Sequence, residues 1–196
     1  MFEPSEKDPF WRLKVWFWLP GIGLVVKEQR DHVPYLAWRD AGYVNAINRK
    51  TIEYEFVVAD ILEICSKFDV QQIAFDRWNI QRFNADMLRL GVTLAEMVEI
   101  GTGYKSQSPA IRCFEAKLTE GTLRHDGNSC LTWCSSNVVA VEDASLNRKY
   151  AKDRSTGRID GIAATVMACG ILDDEGKPES AYANLTASEM ADRMRF

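Results

Sequence analysis

From residue 53 onward the chain switches between two hydrophobic periods, and this alternation limits its possible folds more than any other feature. Residues 53–68 carry Tyr54, Val57, Val58, Ile61, Cys65 and Phe68 at helical spacing. Glu53 and Glu55 fall in the first turn, where the helix dipole favours carboxylates. "VQQIAFD" (70–76) then reads as an apolar strand ending in Asp76. "NIQRFNADMLRLG" (79–91) returns to the helical period through Ile80, Phe83, Met87 and Leu90, with Gly91 as its stop. "TLAEMVEI" (93–100) predicts another strand, and "SPAIRCFEAKLTEG" (108–121) a helix with Pro109 near its start and Gly121 past its end. A strand-rich section over 122–142 leads to a final apolar helix over 159–172. Helices between strands imply an α/β layer arrangement whose sheet is at least partly parallel. Sites in such sheets gather at the carboxyl ends of strands, where Asp76 stands.

The first fifty residues open differently. "RLKVWFWLP" (12–20) places Leu13, Val15, Phe17 and Leu19 on one face and Arg12, Lys14, Trp16 and Trp18 on the other, which predicts one strand ended by Pro20-Gly21. A helix over 27–40 and a short strand, "YVNAI" (43–47), follow. The start, "MFEPSEKDPFW", has acids and prolines where a signal peptide needs a basic and then an apolar segment. No apolar run reaches the ~18 residues of a membrane span. These features predict a cytoplasmic protein with one domain over 1–172 and a polar tail over 173–196.

Two aspartates stand out. Asp76 closes an apolar strand in "IAFDRWN", and Asp160 opens an apolar helix in "RIDGIAATVMACG". Converging carboxylates offer the oxygen donors that Mg²⁺ or Mn²⁺ require, and a metal would make a poorly solvated Asp160 tolerable. Two other readings stay open: Asp160 as an acid favoured by the helix dipole, and Asp76 as the cap of the next helix. A net charge of −4 argues against non-specific nucleic-acid binding by bulk charge. Within "RKYAKDRSTGR" (148–158), however, five basic residues face a single acid, Asp153, as in either a solvated loop or a phosphate-contacting one.

Other motifs are weaker. Cys130 and Cys134, with His125 upstream, lack the second ligand pair of a zinc site and read as residues of a strand. Five cysteines in mostly apolar surroundings fit reduced core thiols. "GILDDEGKP" departs from a phosphate loop in its glycine spacing and in Pro178, and "GTGYK" is too short to mark a dinucleotide fold. Neither His32 nor His125 sits in a nucleophile–base pattern. The tryptophans read as core or edge packing more than as base-stacking platforms, and Trp78, two residues past Asp76, is the one of most interest.

Taken in order, "FWLP", "HVPYLAWRDAGYVNAI", "IEYEFVVADILEICSKFDVQQIAFDRWN", "LRHDGNSCLTWCSSNVVAVED" and "KDRSTGRIDGIAATVMA" resemble the nuclease domain of the tailed-bacteriophage terminase large subunit. The resemblance runs from about Phe17 to Leu172 and is most specific in "FDRWN" and "RIDGIAA". It implies an RNase H-like fold, a mixed five-stranded core sheet flanked by helices. It also implies a metal-dependent endonuclease that cuts concatemeric viral DNA during packaging. Of the family's three metal-binding acids, Asp76 matches the second and Asp160 the third, holding two Mg²⁺ or Mn²⁺ ions. The first lies on an opening strand upstream of where this sequence begins. Lys149, Lys152, Arg154 and Arg158 fall in or beside the loop that the resemblance places near DNA. Implied partners are double-stranded DNA, the terminase small subunit, the ATPase half of the large subunit and the portal or procapsid, with no membrane, in the host bacterial cytoplasm. The alternative is an inactive relative that binds DNA or protein.

Overall fold

The computed structural model describes residues 1–77, 80–91 and 95–175. Trp78 and the tail beyond 175 lie outside the described residues. The elements run β1 (Trp11–Leu13), β2 (Trp18–Pro20), α1 (Leu24–Asp31), α2 (Tyr35–Asp40), β3 (Asn45–Ile47), α3 (Tyr54–Lys67), β4 (Gln72–Phe75), α4 (Ile80–Arg89) and β5 (Glu96–Glu99). They continue with α5 (Tyr104–Thr119), β6 (Leu123–His125), α6 (Ser129–Ser136), β7 (Ala140–Glu142), β8 (Arg148–Tyr150) and α7 (Asp160–Glu175). The α/β class and the helix–strand alternation match the sequence reading.

Three pairings are parallel, β1 with β6, β2 with β3 and β4 with β5, and β7 pairs antiparallel with β8. Among the described residues these form four two-stranded ladders rather than one five-stranded sheet. Each strand has only three or four residues, and side chains take up part of the backbone hydrogen bonding at their edges. At β8, for example, the Tyr150 backbone N–H donates to Gln107 Oε1 at 2.8 Å instead of to a strand.

The core gathers Leu24, Tyr35, Trp38, Ile111, Leu123, Leu131, Ile162, Val166 and Cys169, all buried. Helix α7 is apolar around most of its circumference because it packs against α5, α6 and β4. The deeply buried polar side chain of Thr165 donates to the Gly161 carbonyl at 2.8 Å.

Four elements differ from the sequence reading. The predicted strand over 12–20 is two strands, because β1 and β2 take different partners, β6 and β3. Its alternation still sorts the side chains: Leu13 is buried while Arg12 and Lys14 are exposed. The predicted helix over 27–40 is broken into α1 and α2, since Pro34 has no N–H to continue a helix and His32 takes a left-handed conformation at φ 53°. Helix α5 starts at Tyr104, so Pro109 stands inside it rather than at its head. The strand-rich section over 122–142 contains a helix, α6, with Cys130 and Cys134 one turn apart on its buried side. Asn128 caps it, its Oδ1 accepting from the backbone N–H groups of Cys130 and Leu131 at 2.9 and 3.1 Å.

Candidate active site

Strand β4 carries Asp76 immediately beyond its carboxyl end. The in-register pairing of Phe75 with Glu99, extended by the Ile100 N–H to Phe75 carbonyl bond at 2.9 Å, brings the Ile100–Gly101–Thr102 turn alongside. Asp160 begins α7 on the opposite side. Both carboxylates line one cavity of about 200 Å³, with Thr102, Gln107, Tyr150 and Lys152 on its wall and Ala110, Ala163 and Val166 among its apolar lining. A shallower groove of about 410 Å³ adjoins it through Asp76, Thr102 and Gln107 and continues along Lys149, Lys152 and Asp153.

The position of Asp160 follows from its neighbours. Ile159 and Ile162 are buried at 2% and 4% exposure and anchor the helix head. Between them, Gly161 lies so near the Phe17 ring that an added Cβ would meet Cζ at 2.6 Å; no larger residue fits without a shift. Asp160 itself turns outward, its side chain 64% exposed. It is therefore well solvated and needs no metal to be tolerated, which corrects the expectation of a poorly solvated carboxylate. A carboxylate in the first turn also benefits from the helix dipole. Lys152 Nζ stands 3.6 Å from Asp160 Oδ1, an exposed pair of small energetic weight.

The basic loop is fixed from three directions. Arg148 makes a two-pronged ion pair with Glu115 of α5 at 2.8 and 2.5 Å, and the neighbouring carboxylate pushes its guanidinium pKa up. Gln107 holds Tyr150. On the far side, buried Asn137 uses both ends of its amide: Oδ1 accepts from Thr156 Oγ1 at 3.0 Å and Nδ2 donates to the Arg158 carbonyl at 3.1 Å. Gly157 passes so close to Asn137 that a Cβ would meet Nδ2 at 2.7 Å.

Of the predicted basic residues, Lys149 and Lys152 line the groove, Lys149 lying 4.9 Å over the Tyr104 ring. Arg154 and Arg158 line neither the cavity nor the groove. Arg158 instead lies near enough to Tyr35 to oppose the rise in its phenol pKa, which burial and Asp31 push up to about 12. Sequence reasoning missed Thr102 and Gln107. Thr102 lies in "GTGYK" (101–105), too short to mark a dinucleotide fold although it directly follows the strand that pairs with β4, and Gln107 falls two residues beyond it.

Among the described residues, no group of three or more His, Cys, Asp and Glu side chains is placed to hold a metal. Cys130 and Cys134 interact with each other instead. The Cys130 thiol donates to Cys134, and the Gly161 N–H adds to this, so the Cys134 pKa falls while that of Cys130 rises. His125 Nδ1 accepts from the Gly127 N–H at 3.2 Å.

The family model "Terminase large subunit, endonuclease domain" matches residues 19–175. The terminase large subunit of Enterobacteria phage HK97 is 39% identical over 168 residues, which are 86% of this chain and 33% of that protein. Protein YmfN of Escherichia coli strain K12 is 22% identical over 174 residues, 86% of this chain and 38% of that protein. The crystal structure of the HK97 bacteriophage large terminase superposes with a TM-score of 0.78 at 38% identity, covering 85% of this chain and 34% of that one. The chain thus spans about a third of the length of the relatives it matches.

Proposed function

The chain belongs to the terminase large subunit endonuclease domain family, and from that premise we propose that it is a divalent-metal-dependent DNA endonuclease with Asp76 and Asp160 as its metal-binding acids. One observation carries the reading: two aspartates far apart in sequence, one ending a parallel strand and one opening a helix, face the same cavity. The donors fit the group, since carboxylate oxygens with the Thr102 hydroxyl alongside are the hard ligands that Mg²⁺ and Mn²⁺ take. Asp76 and Asp160 would hold such a cation, and the chemistry it would supply there is activation of a water and stabilisation of charge on the leaving oxygen. With two carboxylates as the described donor set, we expect weak metal affinity.

The protein's own groups do the rest. Lys149 and Lys152 attract the DNA backbone along the groove, and Asp160 presents its carboxylate at the solvated helix head. Lys152, 3.6 Å from Asp160, balances its charge before a cation arrives.

The finer features proposed with this reading are an RNase H-like fold, cutting of concatemeric viral DNA during packaging, and work in the host cytoplasm. Double-stranded DNA, the terminase small subunit, the ATPase half and the portal or procapsid are the proposed partners. Among the described residues no helix is long and apolar enough to cross a membrane. The test is nicking of supercoiled plasmid in Mn²⁺ by the parent, Asp76→Ala and Asp160→Ala, with Mn²⁺ binding followed by calorimetry. Nicking and binding by the parent alone support the proposal. The described set of two acids gives a second reading, an inactive DNA- or protein-binding relative, which a parent that binds DNA but neither nicks it nor binds Mn²⁺ would establish.

A further inference from the structure

Gln107 occupies the seam between the cavity of the two aspartates and the basic groove, lining both. Its amide orientation follows from chemistry. The Tyr150 backbone N–H can only donate, so the atom 2.8 Å away must be the side-chain oxygen, and the NH₂ group therefore points elsewhere. Among the described residues nothing accepts from that NH₂, and no buried side-chain nitrogen or oxygen lacks a partner, so the group faces the solvent of the cleft. Around it the cavity and groove together present Lys149, Lys152 and Arg77 beside Asp76, Asp153 and Asp160.

We infer that Gln107 is a phosphate-contacting residue whose NH₂ donates to a non-bridging oxygen of the DNA backbone where the groove enters the cavity. A neutral donor suits this position. A further cation would compete with metal for Asp76 and Asp160, and an acid would repel the phosphate. The brace to Tyr150 costs the side chain its rotational freedom, so little entropy remains to be lost when the phosphate arrives. The same bond explains why the residue lies on α5 rather than in the basic loop: its oxygen holds β8 while its nitrogen serves the substrate. The inference rests on the DNA-binding part of the proposed function.

The test separates the brace from the contact. Gln107→Glu keeps an oxygen for the Tyr150 N–H but puts a second oxygen where the NH₂ was; Gln107→Met removes both. Binding of a short DNA duplex is measured in EDTA beside the thermal melting of each protein. The expected result is a melting midpoint for Gln107→Glu within a degree or two of the parent, with affinity at least tenfold weaker. Gln107→Met should also bind several-fold more weakly, with an unchanged salt slope, because no charge has been removed. Either variant binding as tightly as the parent overturns the inference alone. Losses of affinity that merely track losses of melting midpoint make Gln107 a brace and also overturn it. A parent that binds no duplex overturns the functional reading itself.

Discussion

The two aspartates of the cleft are mounted in differently built parts of the molecule. Asp160 opens a helix whose neighbours Ile159, Ile162, Thr165 and Val166 are all under 5% exposed. Asp76 ends a strand with no buried residue, and between residues 45 and 99 Val58 is the one buried side chain among those described. That second region, α3–β4–α4–β5, even leaves Leu88 83% exposed. One carboxylate is thus held by dense packing and the other by a half-buried lobe. The cleft between them has one fixed wall and one that packing constrains less, which suits the proposed substrate, a molecule as bulky as DNA.

The contrast is broken most directly by core truncation. Ile162→Ala removes side-chain volume from the packed wall, and we expect a loss of about 2–5 kcal/mol. Ile73→Ala on half-buried β4 should cost less than about 2 kcal/mol, since partial exposure reduces both the transfer loss and the cavity. Urea unfolding of both proteins decides; equal losses would erase the distinction.

A smaller effect compares two glycines of the cleft. At Gly161 a Cβ would strike the Phe17 ring, so Gly161→Ala should cost about 1–3 kcal/mol and displace Asp160. At Gly101 the nearest atom to an added Cβ is Ser106 Oγ at 3.1 Å, a side chain able to rotate away, so Gly101→Ala should stay within about 1 kcal/mol. Thermal melting ranks the pair, and plasmid nicking should fall with the first change far more than with the second.

Asn137 tests the loop rather than the wall. Asn137→Ala leaves Thr156 Oγ1 and the Arg158 carbonyl without their partner, at about 1–3 kcal/mol if water does not replace it. The same variant should loosen Lys152 and weaken DNA binding, measured by titration at low salt.

How legible all this was in sequence follows the same divide. The alternation from residue 53 revealed the α/β class because hydrophobic period is a local property of each segment. Asp76 and Asp160 were legible as a strand end and a helix head, but their solvation was not. Solvation of a carboxylate at a helix head depends on tertiary packing around that head, here including Phe17 against Gly161, which arrives from the other end of the chain. Helix α6 was misread as strand because a short stretch with Cys, Leu and Trp satisfies either period. The decisive cue was Asn128 as a cap. Gln107 was invisible because its role depends on Tyr150, 43 residues away.

The smallest expected effect sets two ion pairs against each other. Arg148 and Glu115 join β8 to α5 with two hydrogen bonds, side chains 28% and 43% exposed. Arg89 and Glu55 join α4 to α3 through one nitrogen, at 59% and 37% exposure, and Asp86 shares the same guanidinium. Two-pronged geometry lowers the entropy lost per bond, and a partly shielded guanidinium is less screened by water and salt. A double-mutant cycle with Arg148→Met and Glu115→Gln should therefore give a coupling of about 0.5–1 kcal/mol, and the matching cycle at Arg89 and Glu55 a value near zero. Raising the salt to about 1 M should remove most of the first coupling, since screening at that strength acts within about 3 Å. A larger coupling in the lobe than at β8 would mean that the mount of Asp76 relies on charge where that of Asp160 relies on packing, and the lobe could not then be described as the less constrained wall.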